Sequence, residues 1–130
     1  MKYLCAYAVL SLALCAGACS RGDQAVQAIA GGTLVDGSPN PPVSPSTVLV
    51  KRGRIVAAGP SADVPIPSDA NRIPAAGLFV FPLDPREPIR AGVDANLLLL
   101  KVNPAVEQDY LRFVAGRMEI GRWTKYPTNE

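Results

Sequence analysis

Apolar and polar positions along this chain alternate in short runs broken by proline and glycine, the pattern of strands and turns. In TVLVKRGRIVAAG (47–59), two β-branched runs, Thr47–Lys51 and Arg54–Ala58, flank Arg52-Gly53 and predict a tight hairpin. AIAGGTLVDG (28–37) predicts a strand closed by the turn dipeptide Asp36-Gly37, and AAGLFVFP (75–82) predicts another ended by Pro82. DANLLLLKV (94–102) reads as a fully apolar strand of about seven residues, since Gly92 before it and Asn103-Pro104 after it leave no room for a helix. LRFVAGRMEIGRW (111–123) predicts a second hairpin around Ala115-Gly116-Arg117. SPNPPVSPS (38–46), with four prolines in nine residues, and PSADVPIPSDANRI (60–73) read as loops. NPAVEQDY (103–110) allows one loose helical turn. The total is six or seven short strands and no convincing helix, hence an all-β domain, a small sandwich or open barrel.

Composition narrows the function. The 130 residues support a single domain, and 13 prolines with 11 glycines fit many short elements. A net charge of +2 gives no overall electrostatic case for nucleic acid or an anionic surface. The chain has no histidine, which removes Ser-His-Asp and Cys-His nucleophile systems, and it carries no phosphate-binding glycine loop. The carboxylate pairs Asp63/Asp69 and Glu107/Asp109 fall in predicted loops without an apolar pocket to shift them. Lys51, Arg52 and Arg54 read as a solvated turn, and Trp123 and Tyr126 as packing against the domain.

The N-terminus has the grammar of an export signal. Lys2 precedes an apolar run from Leu4 to Leu14, then Ala16-Gly17-Ala18 leads to Cys19. The run is short for a spanning helix, which needs roughly 20 apolar residues. Ala-Gly-Ala-Cys resembles the lipobox of bacterial lipoproteins with Cys19 as the lipidated residue, although Ala16 stands where Leu is usual. An ordinary secretory signal or an uncleaved anchor is the alternative. Cys5, Cys15 and Cys19 are the only cysteines, so a chain cleaved before Cys19 has neither disulfide nor thiolate metal site. Ser20 after Cys19 implies the outer membrane if the source is Gram-negative. The expected organisation is signal 1–18, tether 19–27, β domain 28–124 and tail 125–130. Arg21-Gly22-Asp23 within the tether reads as linker.

Two segments resemble the metal-dependent amidohydrolases related to imidazolonepropionase. Gly31-Gly32-Thr-Leu-Val-Asp36-Gly37, then Val48 to Pro60 with Gly53, Arg54 and Gly59, look like the family's N-terminal strand and hairpin. Ile89, Gly92, Ala95, Leu97, Leu100, Asn103 and Pro104 look like its C-terminal segment, with Asn96 where the family usually has Asp. The resemblance implies a composite β-sandwich built from both segments, with a catalytic (β/α)8 barrel of about 250 residues inserted between them. Here only Leu83-Asp84-Pro85-Arg86-Glu87-Pro88 separate Pro82 from Ile89. The resemblance thus implies that the barrel, and the metal-binding histidines it carries, are missing. Asp84 stands near the family's metal-site Asp, but Pro85 and Arg86 replace the histidine pattern and leave a solvated carboxylate.

The expectation is a non-catalytic envelope lipoprotein, a barrel-less domain acting as an interaction module. It needs no cofactor and is held at the membrane through Cys19, with a second copy or another envelope protein as partner and no nucleic acid. The alternative is a truncated amidohydrolase remnant, inactive alone or complementing a separate barrel chain.

Overall fold

The structure, a computed structural model, describes residues 25–127. The expected signal segment, Cys19 and most of the tether lie outside the described residues. The eight strands are β1 (Gln27–Leu34), β2 (Val43–Lys51), β3 (Arg54–Pro60), β4 (Asn71–Pro74), β5 (Phe79–Pro82), β6 (Leu97–Leu100), β7 (Val114–Glu119) and β8 (Arg122–Lys125). They form one mixed sheet in the order β3-β2-β1-β5-β6-β7-β8, with β4 also on β1. The domain is all-β, as the patterning predicts.

β1 is the hub. It pairs antiparallel with β2, and its other edge is shared end to end by two parallel strands, β4 against Gln27–Ala30 and β5 against Thr33–Leu34. Between β4 and β5 the chain makes a tight turn from Ala75 to Leu78, fastened by Ala75 N–H to Ala30 O and Thr33 N–H to Leu78 O. The Gly31-Gly32 pair admits this turn: a Cβ on Gly32 would lie 3.1 Å from the carbonyl oxygens of Ala75 and Leu78.

The sheet curls around one principal core. Ile29, Val48, Val50, Ile55, Ile73, Val80, Leu97, Leu99, Ala115 and Met118 share a single cluster, so strands from both ends of the sheet order pack together. Alternate residues face the other way, as the two-residue side-chain period requires. On β1 and β2, Ala28 and Leu49 meet Val64, Ile66 and Ala70 in a smaller second cluster under the 61–70 loop. On β6, Leu98 and Leu100 are also buried, which is why this strand is apolar on both faces. They lie in register with Phe81 and Phe79 of β5, and Tyr110 packs edge-on to Phe81 at 5.2 Å.

The structure corrects four local readings. The 38–46 stretch is not all loop: β2 begins at Val43 and runs through a cis Ser44-Pro45 bond. Pro45, which cannot donate a ladder hydrogen bond, sits where the β1–β2 register slips between Gly32 and Leu34, a bulge that tolerates it. Asn71–Pro74 is a strand and not loop, because β1 offers a free edge there. With β4 included the count is eight rather than six or seven. The second hairpin turns at Ile120-Gly121 and not at Ala115–Arg117, which lie inside β7. Gly116 is required for packing instead, since a Cβ there would come within 3.0 Å of Pro127. Val106 and Glu107 both return their amides to the Asn103 carbonyl, one turn of helical type, before a short 3-10 turn at Tyr110–Phe113.

Candidate functional site

The junction between the two family-like segments is a closed turn. β5 and β6 are direct neighbours with Pro82 opposite Leu97, and residues 83–96 join these antiparallel strands, with 83–88 as the first turn of the connection. Leu83 N–H donates to Asn96 O and Ile89 N–H to Asp36 O, which fastens both stems, while Glu87 N–H to Asp84 O closes the turn. Asp84 accepts from the Arg86 backbone at 3.0 Å and from its guanidinium at 3.1 and 3.0 Å. These bonds, the side-chain pair foremost, hold the Asp84 carboxyl below its ordinary value and the Arg86 guanidinium above its own. Both groups are solvated, so Asp84 is a turn former neutralised by its neighbour. Among the described residues no three of His, Cys, Asp and Glu converge on one point.

The family-like residues fall into two groups. Around the junction, Asp36 accepts from both the backbone and hydroxyl of Ser38 at 2.9 and 2.6 Å, forming an Asx turn. Gly37, at φ +87, sits under the junction: a Cβ there would lie 2.9 Å from Pro82 Cγ and near Pro85 and Pro88. Gly31 and Gly32 hold the 75–78 turn, and Gly59 backs onto Val64. Asn103 and Pro104 form a separate turn, with Ala105 N–H on Asn103 Oδ1 at 2.9 Å.

The second group closes the curled sheet. The two hairpin tips, Arg52-Gly53 and Ile120-Gly121, have left-handed backbones at all four residues (φ 54, 80, 48 and 77) and touch each other. A Cβ on Gly121 would stand 2.6 Å from Gly53 Cα, so only glycine fits. The segment from Gly92 to Asn96 bridges the tips. Ala95 donates to Gly53 O at 2.8 Å, Gly121 donates to Ala95 O at 3.0 Å, and Arg54 pairs with Asp94 across an isolated bridge. Asn96 Oδ1 accepts from Ile120 N–H at 2.7 Å, which gives this position its structural role. Gln27 completes the closure by donating to Gly121 O and accepting from Trp123 Nε1, both at 2.8 Å. Trp123 in turn packs on the core and on Tyr126.

Beside the tips lies a cleft of about 440 Å³ lined by Gln27, Arg52, Ile120 and Arg122, with Ala25 at its edge. A second hollow of about 410 Å³ flanks the same hairpin between Lys51, Arg54, Val56 and Gly92. Arg122 and Gln27 carry no motif, and their meeting with Arg52 follows only from the closure. The chain after β6 also exposes apolar side chains: Val106, Leu111 and Phe113 are 79%, 67% and 38% exposed.

No family model and no curated protein matches the sequence. Among solved structures, molinate hydrolase is similar at 33% identity over 47% of this chain, with a TM-score of 0.42. Phenylurea hydrolase B is similar at 32% over 45% with 0.41, and a protein described as a prolidase from Bifidobacterium longum at 28% over 45% with 0.41. The chain spans only 13–15% of the length of each of these hydrolases.

Proposed function

We propose that the chain is an amidohydrolase-derived β domain that has lost its catalytic barrel and acts at the bacterial envelope as a lipid-anchored, non-catalytic interaction module. The observation that carries this reading is the junction. Residues 83–96 connect two adjacent strands, the 83–88 turn is held by its own hydrogen bonds and by Asn96 and Asp36, and the curled core on either side packs without an inserted domain. Cys19 supplies the lipid attachment, and the exposed side chains of Val106, Leu111 and Phe113 supply apolar surface for a second copy or another envelope protein.

The test is expression of the full chain in a bacterial host. The mass of the Cys19 peptide reports acylation, and membrane fractionation is compared with Cys19→Ser. Thermal unfolding of the processed chain reports whether the domain is self-sufficient. Acylated Cys19 with a single cooperative β transition is the expected result. An unmodified chain, or one that aggregates unless a separate barrel protein is supplied, refutes the module reading in favour of a remnant.

A further inference from the structure

Cations gather around the contact between the two hairpin tips. Lys51 ends β2, Arg54 begins β3 with Arg52 in the turn between them, and Arg122 begins β8. The nearby acids are engaged: Asp94 lies 3.9 Å from Arg54, and Glu119 pairs with Arg117 at 3.0 Å. Among the described residues, neither Arg52 nor Arg122 has a carboxylate within ion-pair reach, yet both line the same cleft. The whole-chain charge of +2 conceals this local excess.

Ile120 is a separate, second observation. It occupies the first position of the β7–β8 turn at φ 48 and is 61% exposed. A β-branched residue in the left-handed region is an outlier, where Asn or Gly would serve the turn without strain. An apolar side chain held there, at an exposed tip whose cleft also carries Arg52 and Arg122, combines the two chemistries that a bilayer surface recognises.

The geometry points to the hairpin-tip end as a membrane-docking surface, with Arg52 and Arg122 on the phosphates of anionic phospholipids and Ile120 dipping between headgroups. Ala25, at the edge of the cleft, is six positions from Cys19, a span of at most about 20 Å. An acyl chain on Cys19 therefore keeps this end close to the bilayer, and to that extent the inference rests on the lipoprotein reading above. Each cation near an anionic leaflet strengthens docking about fivefold.

Hydrogen exchange read by mass spectrometry tests the docking on the full chain. The chain is reconstituted in vesicles of phosphatidylcholine alone and of phosphatidylcholine with phosphatidylglycerol. Peptides covering 50–56 and 118–123 exchange more slowly only in the anionic vesicles, and the protection fades as salt rises from about 0.05 to about 0.5 M. Arg52→Gln with Arg122→Gln weakens docking about thirty-fold, and Ile120→Asn weakens it with little change in salt dependence. Equal exchange in both vesicles overturns the inference, as does equal protection by inorganic phosphate without vesicles. If the double variant fails to fold, the salt response of the unmodified sequence decides. The mass of the Cys19 peptide separates the two claims. Tip protection without acylation removes the anchor and keeps the docking surface, whereas acylation without tip protection does the reverse.

Discussion

Gly121→Ala probes the closure of the sheet. At φ +77 an alanine costs about 1–2 kcal/mol for the left-handed backbone alone. Its Cβ would also stand 2.6 Å from Gly53 Cα and 3.0 Å from Gly53 N, and backbone atoms yield only if the tips separate. Separation breaks Gly121 N–H to Ala95 O and Gln27 Nε2–H to Gly121 O, at about 1 kcal/mol each. The expected loss is about 3–4 kcal/mol, a large part of the roughly 5–15 kcal/mol available to a domain of this size. Gly77→Ala is the control, because Gly77 has the same kind of backbone at φ +82 but nothing within 4 Å of the added carbon. It should lose only the backbone contribution, about 1–2 kcal/mol. The gap of about 2 kcal/mol corresponds to about 8–16 °C in melting temperature, measurable by far-ultraviolet circular dichroism. Trp123, the only tryptophan, reports the closure separately through its bond to Gln27. Equal losses in the two variants refute the claim that the tip contact holds the sheet closed.

Asn96→Leu should cost about 0.5–1.5 kcal/mol in chemical denaturation by removing the acceptor of the exposed Ile120 N–H, whereas Asn96→Asp, which still accepts that bond, should match the parent at neutral pH and weaken in acid. The depressed Asp84 carboxyl contributes stability that is fully present above the ordinary value of 3.8 and is lost as pH falls through its lower folded value. Asp84→Asn should therefore lower the melting temperature slightly near neutrality and flatten its pH dependence on the acid side, a small effect because the pair with Arg86 is solvated.

Strands whose signal is local were legible in the sequence. Arg52-Gly53 between two β-branched runs specifies its hairpin because the turn chemistry and the flanking pattern agree. The second hairpin turns elsewhere than its sequence suggests because turn preferences favour Gly116, whose lack of a side chain instead makes room for Pro127. No propensity would put isoleucine at the left-handed position that Ile120 occupies. β4 is not legible in its own residues, because its strand character comes from the free edge of β1, some forty residues away. The junction could be read from two neighbouring motifs. The cleft could not, because Arg52 and Arg122 are brought together only when Gly53 and Gly121 touch.

The sharing of one β1 edge by β4 and β5 sets an order of assembly. Every partner of β1 in the sheet lies between residues 43 and 82, so a chain made or threaded from its N-terminus can complete five strands before β6 exists. Until Leu97–Leu100 arrive, the far edge of β5 stays open with Phe79, Val80 and Phe81 along it. An unpaired apolar edge of this kind invites pairing with another nascent copy. The brevity of the 83–96 connection limits the hazard: only fourteen residues separate Pro82 from Leu97, so the strand that covers the edge follows almost at once.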